Sequence, residues 1–176
     1  MKISRVLVTG SEGYIGAVLM PALLRAGFEA FGWDLCWFDE RPLIPAEAHW
    51  PVIRKDVRQA TQRDLLGFDA VVHLAALSND PLGEIDPNLT RDINHRASVR
   101  IAKMARGAGV QRFVFSSSCS MYGQAGAAAL DETAAFNPQT VYAESKVLAE
   151  RDIALLADET FSPVYLRNAT AYGLSP

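Results

Sequence analysis

A chain of 176 residues, 49% of them apolar, has the size of one domain and enough apolar content to bury a sizeable core. Its net charge of −3, from 17 basic and 20 acidic residues with no basic run, argues against a nucleic-acid partner. No apolar run reaches the roughly 20 residues that span a bilayer, Met1–Arg5 leads into a strand without a signal-like apolar region, and the two cysteines, Cys36 and Cys119, lack metal-ligand spacing. The composition predicts a soluble, cytoplasmic domain with reduced thiols and no metal site.

The first element is an apolar strand, Ile3 to Val8. It runs into T-G-S-E-G-Y-I-G at 9–16 and then a helical pattern from Ile15 to Ala26. Strand, glycine turn and helix in that order leave Gly10, Gly13 and Gly16 without side chains where the backbone must turn and approach a ligand. The helix start aims free N–H groups and its positive dipole end at the same place, so a pyrophosphate is the expected occupant. Gly10, Gly13, Tyr14, Ile15 and Gly16 are the candidate dinucleotide contacts of this turn.

Gly27 reads as a helix C-cap, followed by a second strand, Phe28 to Asp34. Leu35 to Trp50 holds Pro42 and Pro45 and reads as a loop. Val52 to Asp56 reads as a short strand, Gln62 to Leu66 as a short helix, and Ala70 to Ala75 as a buried strand. Asp86 to Gly109 gives the clearest helix, with Leu89, Ile93, Ala97, Ile101 and Met104 forming one apolar stripe. Arg112 to Ser117 is another buried strand, Gly123 to Leu130 a loop, Val141 to about Ala157 a long helix, and Ser162 to Leu166 a last strand. Strands alternating with helices predict an α/β fold: a doubly wound parallel sheet of Rossmann type, helices on both faces, joined by right-handed crossovers in one domain over 1–176.

Several residues then carry chemistry. Asp34 ends the second strand about 20 residues beyond the glycine turn, where a carboxylate holds ribose hydroxyls and repels a 2′-phosphate. That favours NAD over NADP. Asp56 could accept from an adenine amino group with Val57 against the ring, an ordinary strand-end Asp being nearly as good a reading. Leu74, Ala75 and Ala76 end the fourth strand with small residues that let a cofactor pass close above, and small residues in tight packing would look the same. Tyr142 and Lys146 are four apart on a helix and share one face. An ammonium near a phenol favours phenolate and makes a general base near neutral pH. Ser118, just past a strand end, offers a hydroxyl to hold a substrate oxygen.

The set T-G-S-E-G-Y-I-G, D-V-R at 56–58, H-L-A-A at 73–76, V-F-S-S-S-C-S-M-Y-G at 114–123, Y-A-E-S-K at 142–146 and the terminal Y-L-R-N-A-T-A-Y-G covers nearly the whole chain in one order. It resembles the extended short-chain dehydrogenase/reductases, the group of nucleotide-sugar epimerases and dehydratases. The resemblance implies NAD as cofactor, Tyr142 as catalytic base, Lys146 on the nicotinamide ribose, and Ser118 on the reacting oxygen. It also implies Asn94 as a support of active-site geometry, and a homodimer through the two long helices. Ser78, Ser120 and Asn168 are the candidate substrate contacts.

Two departures shape the expectation. Dehydratases of this group carry Thr-Asp-Glu where this chain has Ser118-Cys119-Ser120, and without that acid–base pair water elimination is disfavoured. This leaves an epimerase, with a reductase or dehydrogenase and a non-catalytic NAD-binding module as alternatives. An aromatic pair and an asparagine often follow the terminal arginine in the family, whereas Arg167 here precedes Asn168-Ala169-Thr170, so that loop's contacts do not transfer as a set. Members usually run to around 300 residues, so a C-terminal substrate domain is expected beyond this chain.

Overall fold

A computed structural model describes residues 3–37, 49–124 and 129–175. The loops expected over 35–50 and 123–130 lie outside the described residues at 38–48 and 125–128. Six strands, β1 (Arg5–Thr9), β2 (Glu29–Asp34), β3 (Val52–Arg54), β4 (Ala70–His73), β5 (Arg112–Ser118) and β6 (Ser162–Asn168), form one sheet in the order β3-β2-β1-β4-β5-β6. Every neighbouring pair is parallel, with Leu7 beside Phe31 on one side and Val71 on the other. The chain builds outward from β1 to β3, then returns to place β4 on the opposite side of β1. The switch point between β1 and β4 is where ligands bind in such sheets.

Alternation along β1 feeds two cores. Val6 and Val8 face helix α1 (Gly16–Arg25), packing with Met20, Ala30 and Ala70. Leu7 faces the other way, into a larger core with Val71, Phe113 and Phe115 under helices α4 (Ser98–Gly107) and α5 (Val141–Ala154). Burial on both faces explains why these strands read as continuous apolar runs. The doubly wound, Rossmann-type reading therefore holds. The apolar stripe of the long helix is spent inside the chain: Ala97 and Ile101 are buried in that core, with Ile93 and Met104 against it.

The helix expected over 86–109 differs in detail. An unforeseen short helix, α2 (Asp80–Ile85), precedes it and ends at Asp86, which is extended at φ −142°. Asp86 also caps α3 (Pro87–Thr90), its carboxylate accepting from the Asn88 and Leu89 N–H groups. Seven residues of π-helix, Arg91–Ala97, then join α3 to α4. The wider π turn shifts the helical phase and carries Asn94 to full burial, where an unbroken α-helical pattern gives a polar residue no such place. The segment expected as a short helix at 62–66 is a 3₁₀ turn, Gln62–Leu65, and two more 3₁₀ turns lie at Val57–Gln59 and Cys119–Tyr122.

Candidate active site

The glycine turn leaves β1 at Gly10, whose φ is +76° and whose N–H donates to the Trp33 carbonyl at 2.7 Å. A Cβ on Gly10 would stand 2.8 Å from the Ala75 nitrogen, and one on Gly16 would stand 2.2 Å from the Gly10 carbonyl oxygen. Only glycine fits either position, so the turn after β1 lies directly against the segment after β4. Helix α1 starts at Gly16 with no side-chain cap and no acid in its first turn. Among the described residues, no acceptor meets the N–H groups of Tyr14 and Ile15, both exposed residues. An uncapped helix start over a side-chain-free cradle is a fit for a pyrophosphate.

Asp34 is brought to the same turn. Its carboxylate accepts from the Glu12 N–H at 3.1 Å and the Cys36 N–H at 2.7 Å, which fixes it at the mouth of the crevice while leaving each oxygen a lone pair. Asp56 is placed differently from expectation. Arg58 takes its carboxylate through Nε and Nη2, the latter at 2.6 Å, and holds its pKa below the usual carboxylate range. An adenine amino group would have to share it. Val57 points into the larger core and is 8% exposed, so its side chain is not free to lie along a ring.

Leu74, Ala75 and Ala76 follow β4 and form the far wall of the crevice. Asn94 grips the end of that wall, accepting from the Leu77 N–H at 2.8 Å and donating to the Leu77 carbonyl at 3.0 Å. The π turn places this amide against the segment that follows β4.

Tyr142 and Lys146 share one face of α5, as their spacing predicts. Lys146 is 3% exposed, donates to the Ser116 carbonyl at 2.8 Å, and lies 4.8 Å from the Phe115 ring and 5.6 Å from the Tyr142 ring. Burial pulls its pKa down to about 8, with Glu150 one turn away opposing the fall. The phenol behaves otherwise than expected. Burial holds the Tyr142 pKa above its ordinary value, against the pull of a hydrogen bond from Ser118, and Asp80 and Cys119 raise it further.

Ser118 closes the group. The Ser120 N–H and hydroxyl both donate to its Oγ, at 3.2 and 2.9 Å. With both acceptor sites used, the Ser118 proton is left to point at Tyr142. The candidate substrate contacts do not gather. Ser120 is turned back onto Ser118, Asn168 donates to the Ser116 hydroxyl at 3.1 Å, and Ser78 is exposed ahead of α2. A cavity of about 530 Å³ opens beside Cys119, but its walls are Tyr122, Leu130, Asp131, Glu132, Arg167 and Ala169.

Sequence reading missed the supports of Tyr142. Thr140 caps α5, accepting from the Ala143 N–H at 3.1 Å and donating to Asp80 at 2.5 Å, while Glu84 accepts from the Val141 N–H at 3.0 Å. These come from α2, whose six residues are too short for a periodic signal, although Asn79 followed by Pro81 is a readable helix start. Also missed was Arg167, which pairs with the buried Glu150 at 2.8 Å and donates to the Tyr122 hydroxyl at 2.7 Å. Among the described residues no group of three His, Cys, Asp or Glu side chains could hold a metal, and no helix is long and apolar enough to cross a membrane.

The family model described as NAD dependent epimerase/dehydratase matches residues 6–176. A UDP-glucose 4-epimerase of Streptomyces lividans is 32% identical over 150 residues, covering 84% of this chain and 46% of that protein. A 3β-hydroxysteroid dehydrogenase/Δ5→4-isomerase of Mycobacterium tuberculosis is 33% identical over 160 residues, covering 85% and 42%. The solved UDP-glucose 4-epimerase of Thermus thermophilus, in complex with NAD, superposes with a TM-score of 0.82 at 29% identity, covering 93% of this chain and 54% of that one. The chain thus spans about half the length of each of these three proteins.

Proposed function

This chain belongs to the NAD-dependent epimerase/dehydratase family, and from that premise we propose that it carries the cofactor half of an NAD-dependent nucleotide-sugar epimerase. The observation that carries the reading is the buried Lys146 on the Tyr142 face of α5, 5.6 Å from that ring, with Ser118 bonded by Ser120 and no carboxylate at 119 or 120. Such a site moves a hydroxyl proton and has no acid to expel water.

The crevice suits NAD. The turn from Gly10 to Gly16 would take the pyrophosphate, Asp34 the adenosine ribose, and Lys146 the nicotinamide ribose. When bound, NAD supplies a reversible hydride acceptor. The chain's own residues do the rest. When the sugar binds, Ser118 would turn its proton from Tyr142 to the sugar oxygen and hold it there, and Tyr142 would take the proton of that hydroxyl. A phenol raised by burial is a strong base once ionised, and the Ser118 hydrogen bond favours the ionised form. The keto-sugar would then turn over in the site, and Tyr142 would give the proton back to its oxygen.

The test is to supply the full-length protein with NAD⁺ and a panel of nucleotide-sugars. Interconversion of a sugar pair with no net change in nicotinamide absorbance supports the reading. A stoichiometric absorbance change favours the second reading, a net dehydrogenase or reductase, which the likeness to the steroid dehydrogenase supports. If no nucleotide-sugar turns over and Tyr142→Phe leaves function in cells intact, a non-catalytic NAD-binding module is left. The same proposal includes a homodimer across the outer faces of α4 and α5, checked by mass in solution.

A further inference from the structure

His73 ends β4, is 1% exposed, and takes no part in the chemistry above. Both ring nitrogens are bonded: Nδ1 lies 2.7 Å from Thr9 Oγ1, and Nε2 lies 2.9 Å from Ser98 Oγ. The tautomer follows from the partners. Ser98 spends its proton on the Asn94 carbonyl at 2.8 Å, so it can only accept from the ring. Nε2 therefore carries the proton, and Nδ1 accepts from the Thr9 hydroxyl.

The bonds continue at both ends and return to one place. Thr9 Oγ1 receives the Ala75 N–H at 3.4 Å. At the other end, Asn94 holds both backbone groups of Leu77 through its side-chain amide. A path through Thr9, His73, Ser98 and Asn94 thus leaves the chain at Ala75 and rejoins it at Leu77, with each donor matched to an acceptor. Thr9, His73, Ser98 and Asn94 are all buried, at 0 or 1% exposure. A histidine that merely satisfied itself in a core would need two partners of any kind. This one joins the last residue before the glycine turn to the π turn that carries Asn94.

We propose that His73 is a positioning residue for the cofactor, holding residues 74–77 at a fixed height beneath the dinucleotide and setting the width of the crevice against Gly10. The proposal rests on the reading that this crevice holds NAD. His73 fixes the wall from beneath, with Thr9 and Ser98 as its two anchors. Loosening either anchor lets the wall drift and weakens cofactor binding without touching the cofactor.

The test uses Thr9→Val, Ser98→Ala and the double variant in the intact protein, reading NAD affinity by calorimetry beside thermal stability. Each single change is expected to weaken NAD binding about fivefold, the size of one lost hydrogen bond. The double variant should lose less than the product of the two, because both act through one ring. His73 should show one protonated ring nitrogen, Nε2, by nitrogen NMR from pH 5 to 8. Affinities within twofold of the parent, with only stability lowered, would make His73 a plain core residue. Single effects that multiply independently, or a proton on Nδ1, would also overturn the relay. A parent that binds no NAD overturns the NAD reading itself, and this proposal with it.

Discussion

Lys146 donates to the Ser116 carbonyl at 2.8 Å from a side chain that is 3% exposed, over the face of Phe115. A cation so placed costs the fold stability, since burial disfavours its charged form and Glu150 relieves only part of that.

Lys146→Met should therefore abolish turnover and make the chain more stable, by roughly 1–3 kcal/mol at pH 7. The sign follows from linkage. Lys146 titrates near 8 in the folded chain and at 10.5 unfolded, so between those values the unfolded chain binds the extra proton and folding stability rises with pH. Urea unfolding at pH 7 and 9.5 should show that rise in the parent and not in Lys146→Met. A variant less stable than the parent at pH 7 would mean that the Ser116 bond outweighs desolvation.

His73 has the opposite visibility, in acid. Burial, with the Lys146 charge, lowers its pKa from 6.5 to about 3. Its contribution is fully present above pH 6.5 and is lost as pH falls from there toward 3, at about 1.4 kcal/mol per pH unit. Between pH 6.5 and 5 the carboxylates held low, such as Asp56 and Asp64, stay ionised, so the loss in that window belongs to histidine. Stability measured at pH 7 and 5 should fall by about 2 kcal/mol. A flat profile would show that His73 is not kept neutral.

Gly16→Ala tests the cradle. Its Cβ would meet the Gly10 carbonyl oxygen at 2.2 Å, a backbone atom that can retreat only by moving the turn. We expect a loss of about 3 kcal/mol or more, together with loss of NAD binding. A stable variant that still binds NAD would show that the turn is not built around those two glycines.

The fold was legible because its signals are periodic or positional. The four inner strands, buried on both faces, read as apolar runs, and Gly10, Gly16 and Asp34 are marked by spacing alone. What escaped was whatever depends on a partner far along the chain. Asp56 looks the same in sequence whether it faces adenine or Arg58. Asn94 lies in a helix that periodicity reads as unbroken α, and the π turn that buries it has no signature in a single sequence. Burial of Tyr142 reversed the expected direction of its pKa, because the i to i+4 spacing reports who the neighbours are and not how much water they exclude. His73 was visible as part of a buried strand, but its bonds to Thr9 and Ser98 span 64 and 25 residues.

Ser120 decides between two accounts of the catalytic hydroxyls. If it serves the sugar, as the family pattern implies, Ser120→Ala should raise KM and leave the pH profile alone. The geometry gives it another task, since its N–H and hydroxyl both donate to Ser118 Oγ and so direct the Ser118 proton at Tyr142. That bond is what pulls the Tyr142 pKa down against burial. Ser120→Ala removes one of the two donors, frees the Ser118 proton to turn away, and weakens its hold on the phenolate. We expect kcat to fall about fivefold, the worth of one hydrogen bond, with KM little changed. The acid limb of the kcat/KM profile should shift to higher pH, because a phenol less supported by Ser118 ionises later. An unmoved acid limb with a raised KM would return Ser120 to the substrate.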